Sequence, residues 1–227
     1  MESIRYNKSD KPVVIIGGGE HGQMMHHFFI QNTDIVVCGF AVERKYNRGV
    51  NIEGLPVVDF EDIVSFFPPS HFNVFVAVTF VKMNKERTRL YHIAKALGYG
   101  FVSYVDPSST VDDTAIIGEN VAIFENNVIQ YHSVVEANTV MQAGGVLAHR
   151  STIRENVWVA PSCAIAGMSE IGSNCFLGIN STIGNEVIVP EHTIIGAGAV
   201  VYKSLDKTGV YVGNPCRMIS NSSEGYF

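Results

Sequence analysis

The chain has 227 residues, 46% of them hydrophobic and 17% charged, enough to bury a sizeable core in one large domain or two small ones. Sixteen Lys and Arg stand against 22 Asp and Glu, a formal net charge of -6, which argues against a nucleic-acid binder needing a concentrated basic surface. No stretch approaches the roughly 18 apolar residues of a membrane span, and MESIRYNKSD has no apolar signal-peptide core, so a cytoplasmic protein without stable membrane insertion is expected.

The first hundred residues alternate strand and helix signals. PVVII at 12–16 is a short β-rich run, broken at 17–22 by GGGEHG; a helix over 23–31 and a strand over 35–40 follow. The break is literally G-x-G-x-x-G, with Gly17, Gly19 and Gly22 between a strand and a helix. Its amides and the helix start can hold a phosphate, and His21 stands where it would meet the ligand. Glu43 lies about twenty residues on, where a dinucleotide-binding domain places its ribose acid. The unit is too short for the second half that holds nicotinamide, so a nucleotide or nucleotide sugar is the better reading, with a simple tight turn as the bland one. A short helix over 63–67 stops at Pro68 and Pro69. VFVAVT at 74–79 is too uniformly apolar for a strand with one wet face and reads as the centre of a parallel sheet. Thr79 ends it at the carboxyl edge, where open sheets bind ligands; Arg44, Lys82 and Asn84 should border the nucleotide there. Asn84 also reads as the cap of a helix over 85–97, with Leu90, Ile93, Ala94 and Leu97 on one face, before a last strand over 101–104.

From Val105 the grammar changes. An aliphatic residue stands at every sixth position through Val111, Ile117 and Leu147 to Ile195 and Val201, without a miss. Neither a helix nor a hairpin has that period; a parallel β-helix does, its stacked coils each needing neighbours to bury their apolar side. If the cross-section is triangular, three strands per coil make the repeat 18 residues. The fifth hexad position is mostly small, as tight corners require, and holds Cys163 and Cys175, which read as packed thiols rather than ligands or a disulfide.

His149 sits two residues past inward Leu147, where a side chain leaves the coil, and Gly167 lies one coil later. A general base beside an unobstructed backbone amide suits acyl transfer; an ordinary surface histidine is the alternative. His132, His149 and His192 do not stack as a ladder and lack an acidic second shell, so no metal is expected.

These residues carry a family resemblance. VVIIGGGEHG at 13–22, GLPVV at 54–58, the hexads, IGAGAVV at 195–201 and VGNPCR at 212–217 together resemble the left-handed β-helix acyltransferases that acetylate nucleotide-linked amino sugars, with the related sialic acid O-acetyltransferases. The resemblance implies a mixed fold: a Rossmann-like, nucleotide-sugar-binding α/β domain at 1–104, a left-handed β-helix at 105–203 and a C-terminal extension at 204–227. It implies acetyl-CoA as donor, a homotrimer with active sites between subunits, His149 as base and Gly167 as the amide facing the thioester oxygen. The pantetheine arm would pass Gly178, Ile179 and Gly196, with adenine near Pro215 and phosphates near Lys203 and Arg217. Two departures stand out. Arg150 replaces an acidic residue, leaving Glu136 or a backbone carbonyl to orient the base, and Trp158 replaces a second histidine. The expected reaction is N-acetylation of a UDP- or dTDP-linked 4-amino-4,6-dideoxyhexose; sugar O-acetylation and a non-enzymatic nucleotide-sugar-binding scaffold are the alternatives.

Overall fold

A computed structural model describes residues 6–223, 225 and 226. Residues 1–5 of MESIRYNKSD, and 224 and 227 of the C-terminal extension, lie outside the described residues.

The first unit is a four-stranded parallel sheet of β1 (Val13–Ile16), β2 (Val37–Val42), β3 (Val57–Asp59) and β4 (Asn73–Val76), in the order β3-β2-β1-β4. Every residue of β1 and β4 is buried, which is why VVII and NVFV are unbroken runs without a wet alternate face. Helix α1 (Glu20–Asn32) begins at the glycine loop, three residues before its expected start, so His21 and Gly22 are already helical. A 3₁₀ turn, Phe60–Asp62, leads into the single turn α2 (Ile63–Phe66).

Four expectations are corrected here. VFVAVT is not the centre of the sheet: β4 stands at its edge beside β1 and ends at Val76, so Thr79 lies three residues beyond the strand. The segment 101–104 adds no strand to this sheet: Phe101 makes one bridge to Val74, and Tyr104 opens the repeat instead. Helix α3 (Lys85–Ala96) is rotated from the expected face. It buries Arg87, Leu90, Tyr91 and Ala94, while Ile93 and Leu97 are 37% and 40% exposed. Asn84 precedes it in the left-handed region, φ 62°, but its side chain caps nothing and donates to the Cys175 carbonyl at 3.2 Å.

Seventeen two-residue strands, β5 (Tyr104–Val105) to β21 (Val200–Val201), start six residues apart. Pairing joins each residue to the one 18 later, Val146 to Ala164 and Leu147 to Ile165, and the strands divide into three parallel faces of a triangular prism. The hexad aliphatics fill its axis; Val135, Leu147, Ile153 and Ile183 are all 0% exposed. Corners combine two devices. Fifth-position hydroxyls turn inward and satisfy coil carbonyls, as Ser109 does to Phe124 at 2.7 Å and Ser151 to Ala166 at 2.8 Å. The fourth position is left-handed at every corner from Asn120 to Gly198, with φ between 53° and 77°. Asn or Gly supplies eight of those fourteen residues, the types that enter this region most readily.

The two units share a buried seam. The Val76 amide donates to Asn120 Oδ1 at 2.7 Å; Asn120 then donates to Asn138 and Asn138 to Asn156, each at 2.8 Å. This ladder climbs one corner of the prism, and Asn174 stands one coil further, accepting from the Thr88 hydroxyl of α3 at 3.5 Å. Tyr91 and Lys95 both reach Glu119, and Phe29 of α1 packs edge-on against Tyr104 at 5.8 Å. Beyond residue 203, β22 (Val210–Val212) continues one face of the prism beside Ile194 and Ile195, and β23 (Arg217–Ser220) folds back antiparallel. Among the described residues no helix is long and apolar enough to cross a membrane.

Candidate active site

The glycine loop is shaped by two requirements that the structure separates. Gly17 has φ +117°, and a Cβ there would lie 2.7 Å from the Ala77 carbonyl; one at Gly22 would lie 2.1 Å from the Gly17 carbonyl. Those two are needed by the turn itself. A Cβ at Gly19 would meet nothing within 4 Å. The loop floors a cleft of 1020 Å³ at the carboxyl edge of the sheet, also lined by His21, Glu43, Tyr46, Ile52 and Thr79. Glu43 accepts an ion pair from Arg89 at 2.9 Å and faces Lys45 at 3.7 Å. Glu86, also in the lining, is held down to about 2 by hydrogen bonds from Lys82 and Arg89.

Three expected nucleotide neighbours do not line this cleft. Arg44 is drawn away by Asp59 and Asp62, at 2.7 Å each. Lys82 is engaged by Glu86 at 2.8 Å, and Asn84 is fully buried against the prism. The cleft instead recruits 46–53, the loop after β2, where Tyr46, Asn47, Arg48 and Ile52 face the space. No periodicity marks such a loop; only its proximity to Glu43 could have pointed to it.

A second cavity, of 620 Å³, opens along the seam and shares Glu20, His21 and Thr79 with the first. Its other wall is the prism: Trp158, Phe176, Gly178, Ile179 and Gly196. A Cβ at Gly178 would sit 2.5 Å from the Ala197 amide nitrogen, and one at Gly196 2.8 Å from Val212 Cγ1, so these glycines keep the wall flat. His21 is 6% exposed and packs on Trp158 at 5.4 Å. Burial, and then the Arg87 charge, lowers its pKa to about 4, leaving a neutral ring at pH 7 with Nε2 unpartnered. Lys203, Pro215 and Arg217 are exposed near the β22–β23 end and line neither cavity.

His149 stands elsewhere. It is exposed on a corner after Val146–Leu147; its amide donates to Gln130 Oε1 at 3.1 Å. Its ring lies directly on Gly167, where a Cβ would come 2.4 Å from Cε1 and 2.7 Å from Nε2. Glu136 does not orient it, because Arg154 takes that carboxylate at 2.9 Å and Glu170 at 2.8 Å. Arg150 turns over the Tyr131 ring, 5.9 Å from its centroid. Within one chain, therefore, His149 and Gly167 meet each other but line neither cavity. The cysteines offer no ready nucleophile: all four are free, and burial pushes the Cys175 thiol up to about 12. Among the described residues no three His, Cys, Asp or Glu side chains gather as metal ligands.

No family model matches the chain. Curated relatives from several Staphylococcus aureus strains, provisionally named as acetyltransferases, are 39% identical over 54 residues, 24% of this chain. The chain spans only 27% of the length of those relatives. Solved structures agree over far more. A histidine-to-asparagine variant of perosamine N-acetyltransferase from Caulobacter crescentus, in complex with CoA and GDP-perosamine, superposes with a TM-score of 0.81 at 25% identity, covering 92% of this chain and 97% of that one. The acetyltransferase domain of PglB from Neisseria gonorrhoeae, in complex with acetyl coenzyme A, gives 0.80 at 22% identity, covering 93% and 100%. WeeI from Acinetobacter baumannii gives 0.78 at 22% identity, covering 92% and 100%. Over nine-tenths of its length the chain has the architecture of the hexapeptide-repeat nucleotide-sugar N-acetyltransferases, a small α/β domain on a left-handed β-helix.

Proposed function

We propose that the protein transfers the acetyl group of acetyl-CoA to the amino group of a nucleotide-linked amino-deoxy sugar. The observation that carries this is the continuity of the two cavities: a glycine-loop cleft suited to a diphosphate opens, past His21 and Thr79, onto a flat glycine wall of the β-helix. Residues 1–104 would take the nucleotide sugar and 105–203 the donor. The extension 204–227, with Lys203, Pro215 and Arg217 at that end, would meet the coenzyme's nucleotide. The family resemblance implies a homotrimer, and the exposed His149, which lines neither cavity, fits an assembly in which one subunit's His149 corner closes a neighbour's seam. Four free thiols suit a reducing cytoplasm.

In the reaction the sugar amine attacks the thioester carbonyl in a ternary complex. His149 takes the amine proton, a C–N bond forms, and collapse of the tetrahedral intermediate breaks the C–S bond. The proton held on His149 then neutralises the departing thiolate. The Gly167 amide stabilises the oxyanion; loss of one such donor commonly costs about 3 kcal/mol. No residue need be acylated. The acceptor is a 4-amino-4,6-dideoxyhexose on UDP or dTDP, and the GDP-sugar complexes of the Caulobacter protein extend the candidates to GDP.

Free-thiol release from acetyl-CoA with UDP-, dTDP- and GDP-linked 3-amino and 4-amino sugars tests the reading. A preference above about tenfold for a hydroxyl acceptor would favour O-acetylation instead, and nucleotide-sugar binding without thiol release would leave a scaffold.

Two substitutions probe the halves separately. Gly19→Val adds a branched side chain where the unliganded fold has room, so it should weaken nucleotide-sugar affinity while leaving melting temperature and acetyl-CoA affinity near wild type. Calorimetric titration with each ligand decides this; equal loss of both affinities would mean the ligands are wrongly divided. Gly167→Ala keeps the amide but drives a methyl into the His149 ring, and should lower kcat roughly 10²-fold through misplacement of the base. An unchanged kcat would show that the ring does not work from this position.

A further inference from the structure

Arg87 is fully buried, at 0% exposure, and no carboxylate among the described residues meets it. Nη2 donates to Asn84 Oδ1 at 3.1 Å and to the Val157 carbonyl at 3.2 Å; Nε and Nη1 have no partner. Its Cζ lies 5.4 Å from the centre of the Trp158 ring, and that same ring packs on His21. Holding an uncompensated cation away from water is strongly unfavourable, and an apolar side chain of similar volume would pack the space without that penalty. Burial lowers its pKa to about 9, so it still carries its charge at pH 7.

The neighbouring cleft is poor in positive side chains. Arg48 is the one Lys or Arg among its lining residues, against Glu20, Glu43, Glu53 and Glu86. Lys45, Lys82 and Arg89 are already committed to Glu43 and Glu86, and His21 is neutral. A diphosphate at the glycine loop would find backbone amides and the start of α1, but little charge to balance it.

We propose that Arg87 is the buried counter-charge for the phosphates of a nucleoside diphosphate in the glycine-loop cleft, acting from behind Trp158 and His21 without touching the ligand. This rests on the nucleotide-binding reading of the cleft. It makes Arg87 a positioning residue whose influence is electrostatic. At separations of about 10 Å and an effective dielectric of about 20, one unit charge changes the affinity for another on the order of tenfold.

The test compares wild type, Arg87→Met, Arg87→Gln and Arg87→Lys by calorimetric titration with UDP, GDP and dTDP and with the matching uncharged nucleosides. Both neutral variants should bind the preferred diphosphate about tenfold more weakly, with nucleoside affinity within about twofold of wild type, and Arg87→Lys should recover most of the loss. The methionine variant should melt at or above the wild-type temperature. A folded neutral variant with wild-type diphosphate affinity overturns the proposal, as does equal weakening for diphosphate and nucleoside. If both neutral variants fail to fold while the lysine variant folds, the charge serves the fold alone and the proposal also falls. A wild-type protein that binds no nucleoside diphosphate would instead remove the cleft reading beneath it. Binding without acetyl transfer would leave the assignment of Arg87 intact and overturn only the proposed reaction.

Discussion

His149→Ala should lower kcat by roughly 10² to 10⁴ with little change in coenzyme affinity or assembly. The expectation follows from its setting. The imidazole rests on Gly167 at the prism surface and supports no core contact, so its removal opens no cavity. Its polar ties, the amide donating to Gln130 Oε1 at 3.1 Å and the carbonyl accepting from the Met168 amide at 2.9 Å, run through the backbone and survive truncation of the side chain. A large effect on rate with a small effect on melting is the signature of a group that acts on the substrate. Steady-state kinetics beside a thermal melt provides both numbers; a loss below about fivefold would remove His149 from the reaction.

Ile165→Asp should be the most damaging substitution in the chain, at about 4 kcal/mol or more of stability. Ile165 is 1% exposed and stands in one axial column between Leu147 and Ile183, both 0% exposed. A carboxylate there has no partner along an axis filled by aliphatic side chains. In a stacked solenoid the damage also falls on two interfaces, because each coil is held by the ones above and below. Thermal melting and sedimentation should report an unfolded or aggregated variant. Wild-type melting would mean that the side chain does not point inward.

The repeat was legible because its signal is redundant: each hexad repeats the same instruction, so the six-residue period follows from spacing alone, while the 18-residue coil needs a triangular cross-section as well, which the strand pairing supplies. The corners were only half legible. Small fifth positions were plain, but the left-handed fourth position hides behind residues such as His132, Arg150 and Met168, which hold it at φ 53°, 57° and 59° inside an otherwise Asn- and Gly-rich series. The α/β unit was harder. The face of α3 was misread because the residue it buries deepest, Arg87, is charged, and hydropathy patterning assigns such a residue outward. Glycine spacing located the loop, yet only three-dimensional contacts separate Gly17 and Gly22, needed by the turn, from Gly19, open to a ligand. Arg44 and Lys82 were placed correctly along the chain and wrongly in space, because nearby carboxylates hold their side chains. That His149 lies outside both cavities could not be read at all, since hexad spacing says nothing of where the α/β unit docks on the prism.

The asparagine ladder bears on how such a chain can change over evolutionary time. Solenoids gain and lose repeats easily, because a duplicated coil finds the same neighbours as its parent. Here the α/β unit grips the prism at two heights: Val76 holds Asn120, while Thr88 and Asn84 reach Asn174 and Cys175 three coils on, about 14 Å away at the usual strand spacing. Insertion or deletion of one coil between those grips would leave one of them facing the wrong residues. Coil number is thus frozen beneath the docked unit and can drift only beyond it, toward the C-terminal end, so lineages of this architecture should differ in length there and agree in length below.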